Sequence, residues 1–188
     1  MNALHHFASS PSRADSASSP AQPVLRCVLD QRVQHLVDFY RHVQIERMQG
    51  LPILNPALAV EAIGFEWGDA EQTVAEGVLI TPWFLSLVRL LTADAGAARV
   101  GSKRILPFGR ECFEFIAAEG GPNGSIESCS LFSPMDEFGS QALAQEVALT
   151  VLAELRVPRK QVVATPAGSS PAIAMPSRRA LLMGRRSV

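Results

Sequence analysis

At 188 residues the chain is long enough for one domain with a sizeable core and too short for two comfortable ones. Apolar residues make up 47% and charged residues 19%, the balance of a folded globular protein rather than of a disordered one. A formal charge of -1 gives no global attraction to nucleic acid or to a membrane surface, although no acidic residue follows Glu154 while Arg156, Arg159, Lys160, Arg178, Arg179, Arg185 and Arg186 do.

Residues 1–23 read as a disordered leader of Ser, Pro and Ala, which bury nothing to offset chain entropy. His5 and His6 fall there and read as incidental rather than metal-binding. From Val24 to Met48, Leu25, Leu29, Val33, Leu36, Tyr40 and Val43 recur at three- and four-residue steps and predict a helix with one apolar stripe. His35, Asp38 and His42 share the polar face, which reads as solvated rather than as a metal site. Gly50 and Pro52 stop the helix. A loop with Pro52 and Pro56 follows. Ala57–Trp67 and Val74–Thr81 then read as an antiparallel hairpin, with Gly64 marking a bulge or a close backbone approach.

After Pro82 the run Trp83–Leu91 fits strand and helix alike, and an extended or irregular start is preferred. Thr92–Ser102 reads as a flexible loop. Arg104–Phe108 is a short edge strand, and Cys112–Ala117 a strand with Phe113 and Phe115 on one face and Cys112, Glu114 and Ile116 on the other. Gly120–Gly124 is a turn. Ser125–Phe132 is a further strand whose alternation leaves its buried face undecided. Ser133 as N-cap, Pro134 at the first helical position, and Asp136 and Glu137 at the positive end of the dipole predict a helix start. Helix formers run to Leu155, with Phe138, Ala142, Leu149 and Leu152 on one face, Ala148 and Leu155 widening it, and Pro158 closing it. Residues 159–188 read as a flexible basic tail. The fold class is α+β: an N-terminal helix, a mainly antiparallel β-sheet and a C-terminal helix packed on the sheet, in one domain over 24–158.

Three cysteines, Cys27, Cys112 and Cys129, share no C-x-x-C spacing and read as reduced thiols, so neither a structural metal nor another cofactor is expected. No secretory leader is recognisable. The longest mainly apolar run, Val78–Val88, contains Pro82 and falls short of the roughly 20 residues needed to cross a bilayer, so membrane insertion is not expected and a cytoplasmic location is.

A nucleophilic cysteine needs a base within hydrogen-bond reach. Cys129 and Cys112 are the candidates, and His35 and His42 are the histidines of the folded part; nothing in the spacing ties them together. A thiol-dependent enzyme is therefore the alternative function, against the commoner role of a strand cysteine as a small core residue. No phosphate-cradling glycine loop, H-E-x-x-H or G-x-S-x-G occurs. Glu111 and Glu114 could pair, but Glu114 alternates with phenylalanines as a solvent-facing strand residue does. Better material lies in two proline-interrupted strings, GVLITPWFLSLVRLL (Gly77–Leu91) and CSLFSPM (Cys129–Met135). Trp83, Phe84, Phe132 and Met135 are residue types that anchor protein interfaces, and each is as well suited to a core. In the tail, Ser177–Leu182 (SRRALL) looks like a twin-arginine export signature, but no apolar region or cleavage site follows it, so it does not read as an ordinary export signal.

LPILNPALAVEAIGF (Leu51–Phe65), GVLITPWFLSLVRLL, LPFGRECFEF (Leu106–Phe115) and CSLFSPM, in that order and spacing, resemble the HybE-type [NiFe]-hydrogenase assembly chaperones, which include HupJ- and HoxT-like proteins. The resemblance covers about Gln49 to Leu155. The segment Thr92–Ser102 lacks a tryptophan expected there, and Phe108 replaces a small residue in the LP-x-G turn. Some relatives carry a rubredoxin-like part; this chain has no C-x-x-C pair for one. The resemblance implies a non-catalytic, cytoplasmic maturation factor. Its implied partners are hydrogenase small or large subunit precursors, including small subunits bearing twin-arginine signals, and other maturation factors. HoxT-like members imply a link to assembly in the presence of oxygen. Within the signature, Val78, Leu79 and Ile80 are expected in the sheet core. Thr81, Pro82, Trp83 and Phe84 are expected at the strand end beside Phe132 and Met135, joined by Asn55 and Pro56, where an apolar groove near Trp83 and Phe132 would bury precursor surface. Ser177–Leu182 would imitate a client and fill that groove when none is bound.

Overall fold

The structure, a computed structural model, describes residues 21–92 and 98–157. The basic tail with its Ser177–Leu182 string, and the leader up to residue 20, lie outside the described residues. The elements in chain order are α1 (Ala21–Arg47), β1 (Glu61–Trp67), β2 (Val74–Ile80), β3 (Leu85–Leu91), β4 (Lys103–Phe108), β5 (Glu111–Glu119), β6 (Ser125–Phe132) and α2 (Gln141–Arg156). The six strands form one antiparallel sheet in the order β1-β2-β3-β6-β5-β4. The α+β class, with a helix at each end of the sequence, is the one expected.

Period-2 alternation in the central strands divides the core between the two faces. Leu79, Val88, Leu90 and Ile126 meet Leu29, Leu36, Val37 and Tyr40 of α1. Val78, Ile80, Leu85, Leu87, Phe115 and Cys129 meet Ala144, Ala148, Val151, Leu152 and Leu155 of α2. Both faces of β6 are thus covered near its start, which is why its sequence shows no single apolar face. Val78, Leu79 and Ile80 are fully buried, as expected of sheet core; burying an aliphatic side chain of this size contributes about 1.5–3 kcal/mol. The run after Pro82 becomes a strand only at Leu85.

Three expectations need correction. The first helix begins at Ala21, so 21–23 belong to it rather than to the leader; Pro23 falls in its first turn, where a missing N–H costs nothing. The second helix begins at Gln141, not at Pro134. Ser133-Pro134 is a cis peptide, and Met135 and Phe138 are buried in the connection. The N-cap is Ser140, whose Oγ accepts from Leu143 N at 3.3 Å. That later start sets the helical phase by Ala144, Ala148, Val151, Leu152 and Leu155, so Ala142 and Leu149 point to solvent. Two of the buried positions are alanines, which let the helix axis approach the sheet closely.

Gly64 is a bulge, as expected: the β1–β2 register shifts between Ile63 and Glu66. Its φ is 60°, and a Cβ there would lie 2.6 Å from Leu152 Cδ1, so the glycine lets α2 settle on β1.

Candidate functional site

Thr81–Phe84 is the loop closing the β2–β3 hairpin beyond the Ile80–Leu85 pair. Thr81 organises it. Its N–H donates to Phe84 O at 2.8 Å, and its Oγ1 accepts from Phe84 N at 2.9 Å and from Trp83 N at 3.3 Å. A hydroxyl serves here because it accepts from backbone N–H groups that the tight turn leaves without ladder partners.

Asn55 ties this loop to the CSLFSPM string. Its backbone N–H donates to Pro82 O at 2.9 Å. Its Nδ2 donates to Met135 O and to Phe138 O, each at 2.8 Å, and its Oδ1 accepts from Ala57 N at 2.9 Å. Ser133 Oγ adds a bond to Trp83 O at 3.1 Å, and Phe132 pairs with Leu85 across the β3–β6 ladder. Signature strings far apart in sequence thus converge at one end of the sheet.

Their exposure divides them. Thr81 and Met135 are wholly buried, Pro82 is buried, and Trp83 is 8% exposed. The Trp83 ring packs against Phe84 and Tyr40, with centroids 5.6 and 6.4 Å away. An open groove floored by Trp83 is therefore absent, and the expectation is corrected: an indole of this size stabilises more as core than as a wetted wall. Phe84, Phe132 and Asn55 are half-buried and Pro56 is exposed. What faces water is a convex apolar rim of Pro56, Phe84, Phe132 and Pro134. Exposed Leu51 and Ile53 lie on the same loop as Asn55. Sequence reasoning passed over Leu51, Ile53 and Pro134; the two prolines flanking Leu51 and Ile53 were the available signal.

The family model for [NiFe]-hydrogenase assembly chaperones of the HybE type matches residues 31–184. The chain belongs to that family. It is 38% identical over 178 residues to the protein HoxT of Cupriavidus necator, covering 86% of this chain and 93% of HoxT. It is 41% identical over 124 residues to the hydrogenase expression/formation protein HupJ of Bradyrhizobium diazoefficiens, covering 65% of this chain and 70% of HupJ. The solution structure of HybE from Escherichia coli has the same fold, with a TM-score of 0.54 at 22% identity over 79% of this chain and 93% of that one. A role in hydrogenase assembly follows from the family.

The other candidate chemistry in this HybE-family chain is not brought together. Cys129 is buried in the core under α2, whereas His35 and His42 belong to α1 on the opposite face of the sheet. Cys112 is exposed. Glu111 and Glu114 point to opposite faces of β5. Among the described residues no three His, Cys, Asp or Glu side chains group as metal ligands, and no helix is long and apolar enough to cross a membrane. A cleft of about 580 Å³ lies at the foot of α2, lined in part by Glu66, Asp69, Glu76, Arg89 and Arg156. Its charges satisfy one another. Arg89 bridges Glu76 and the buried Glu127, each at 2.8 Å, and Arg104 also reaches Glu127. Arg156 pairs with Glu66 at 2.7 Å and donates to the carbonyls of Gly64 and Glu76. This network fastens the end of α2 to β1 and β2.

Proposed function

We propose that this protein is a cytoplasmic holding chaperone that grips [NiFe]-hydrogenase subunit precursors, small subunits with twin-arginine signals among them, until their cofactors are in place and they can be exported. The observation that carries this reading is the convergence of the family strings on one sheet end, where Asn55, Thr81 and Ser133 brace a rim of Pro56, Phe84, Phe132 and Pro134. A braced rim of proline and aromatic side chains loses little conformational entropy on contact, which favours binding to an apolar stretch of an unfinished polypeptide. Of the residues expected to touch the precursor, Pro56, Phe84 and Phe132 would do so, while Asn55, Thr81, Pro82, Trp83 and Met135 shape the surface from beneath. Holding requires no catalytic group: higher affinity for the immature precursor than for the mature subunit sets capture and release. The similarity to HoxT supports action during assembly in air. Co-purification from hydrogenase-expressing cells tests the reading. Hydrogenase precursors should accompany the tagged chain and mature subunits should not. Absence of precursors, with hydrogenase maturation intact in a deletion strain, would overturn it.

A further inference from the structure

α1 covers only part of its face of the sheet. It lies over β1, β2, β3 and the start of β6, and the same face of β4 and β5 is bare. Ile105 is 63% exposed and Ile116 42%, and Pro107 and Cys112 beside them are exposed too. These residues are neighbours by register, with Lys103 opposite Ile116, Ile105 opposite Glu114 and Pro107 opposite Cys112. Strands spaced about 4.8 Å apart make this shelf, from β6 to the β4 edge, roughly 10 Å wide, room for one further element beside α1. The β4 edge itself, with Lys103, Arg104 and Pro107, is guarded against pairing with a strand, so the side-chain face is the part open to an occupant.

We propose that the C-terminal segment of this chain covers the shelf, with Lys160–Thr165 laid across Ile105 and Ile116. Three observations carry this. First, the segment starts at the shelf's corner. Arg110 N, in the β4–β5 turn, donates to Leu155 O in the last turn of α2 at 2.8 Å, and Gly109 approaches the same carbonyl so closely that a Cβ would lie 2.1 Å from it. Three or four extended residues reach roughly 10–14 Å, enough to round that turn, and the first apolar pair after Val157 is Val162-Val163.

Second, the charges match. All 18 acidic residues but only 11 of the 17 basic ones precede residue 158, leaving the body at -7 and the segment after it at +6. At the corner one guanidinium, Arg110, lies between two carboxylates, 3.8 Å from Glu111 and 3.5 Å from Glu154. That surplus negative charge is what Arg159 and Lys160 pass on leaving α2. Third, the family match runs to residue 184, so the segment is part of the pattern that defines the domain.

Cys112 is the reporter. In the full-length chain with Cys27→Ser, the exposed thiol left is Cys112, because Cys129 is 5% exposed in the core. Its alkylation by a small maleimide is compared with that in the same chain carrying V162D and V163D, and with one carrying R159E and K160E. The expected result is labelling at least fivefold faster in both variants at every protein concentration. Equal rates in all three chains would overturn the proposal, as would a protection that appears only as protein concentration rises, which would assign the shelf to a second copy. Ile105→Asp supplies an independent check, since it should speed Cys112 labelling with the C-terminal segment unaltered; no change would count against the proposal.

Discussion

The carboxamide nitrogen of Asn55 lies 2.8 Å from the carbonyl oxygen of Met135, 80 residues further along the chain. Met135 is wholly buried, in a connection with no regular helix or ladder to absorb its carbonyl. The Asn55 side chain supplies the missing donor, supplies a second to Phe138 O, and uses its oxygen to shape its own loop. One residue thereby fixes the position of the loop that carries Ile53 and Pro56 relative to the strand that ends at Phe132.

Asn55→Ala should lower unfolding free energy by about 2–3 kcal/mol, because two buried acceptors lose their donor. Asn55→Asp should do at least as much damage, since a carboxylate cannot donate to either carbonyl. Denaturant unfolding followed by tryptophan fluorescence measures both. A cost below about 0.5 kcal/mol would mean that the junction is held by other contacts.

The rim should behave in the opposite way. Ile53 is 40% exposed and Pro56 is exposed, so Ile53→Asp and Pro56→Asp should leave stability within about 0.5 kcal/mol of the parent. Each should nonetheless weaken capture of a purified hydrogenase precursor about tenfold, a change of about 1.4 kcal/mol, as desolvated apolar contacts are replaced by a charge. Binding calorimetry with the full chain distinguishes this from the Asn55 variants, whose loss of binding should track their loss of fold.

Much of this architecture was legible, and the failures share a cause. Alternation in Phe113–Phe115 and the glycine at position 64 report local geometry, and both came out as their chemistry dictates. Ser133-Pro134-Met135-Asp136-Glu137 carries every local mark of a helix start, yet the chain there serves Asn55 and the core first and turns helical only after Ser140. Local propensity is worth a few tenths of a kcal/mol per residue, and burying Met135 and Phe138 outweighs it. Trp83 misled for the same reason. Its neighbours in sequence suggested a strand end in water, but Tyr40, 43 residues earlier, arrives on α1 to cover it.

The network under α2 gives a third test. Glu127 is 1% exposed and holds Arg89 and Arg104. Glu127→Gln keeps the shape but leaves Arg89 short of countercharge in a buried site, where breaking one partner costs about 3 kcal/mol. Lys103→Ala, which removes the solvent-exposed pair to Glu114, should change stability by no more than about 0.5 kcal/mol. Parallel thermal melts separate the two, and similar small shifts would show that Glu127 is dispensable to the fold.

Backbone geometry gives a fourth. Gly109 and Gly50 both have positive φ, 59° and 79°, but their surroundings differ. A Cβ at Gly109 would strike Leu155 O, while one at Gly50 would meet nothing within 4 Å. Gly50→Ala should therefore cost only the left-handed penalty of about 1–2 kcal/mol. Gly109→Ala should cost more than that, and it should raise amide exchange at Arg110, whose N–H is bonded to Leu155 O. Equal costs at the two sites would mean that the turn gives way without disturbing α2.

The last test uses the chain's single tyrosine. Tyr40 lies between Phe39 and Phe84, with ring centroids 5.3 and 5.5 Å away. Burial there pushes its phenol up to about 12 from an ordinary 10.0. The sign follows from which state ionises first. Above pH 10 the unfolded chain loses the phenol proton while the folded chain keeps it, so the folded state loses relative stability as pH rises. The contribution is intact below pH 10 and gone once pH passes about 12, a total of about 2–3 kcal/mol at 1.36 kcal/mol per unit. Tyrosinate absorbance near 295 nm reports this residue alone, so the native chain should show no phenolate at pH 10.5, where a free phenol would be more than half ionised. Tyr40→Phe should remove that part of the alkaline loss of stability. A native titration midpoint near 10 would place the phenol in water and contradict the aromatic packing of α1 over Phe84.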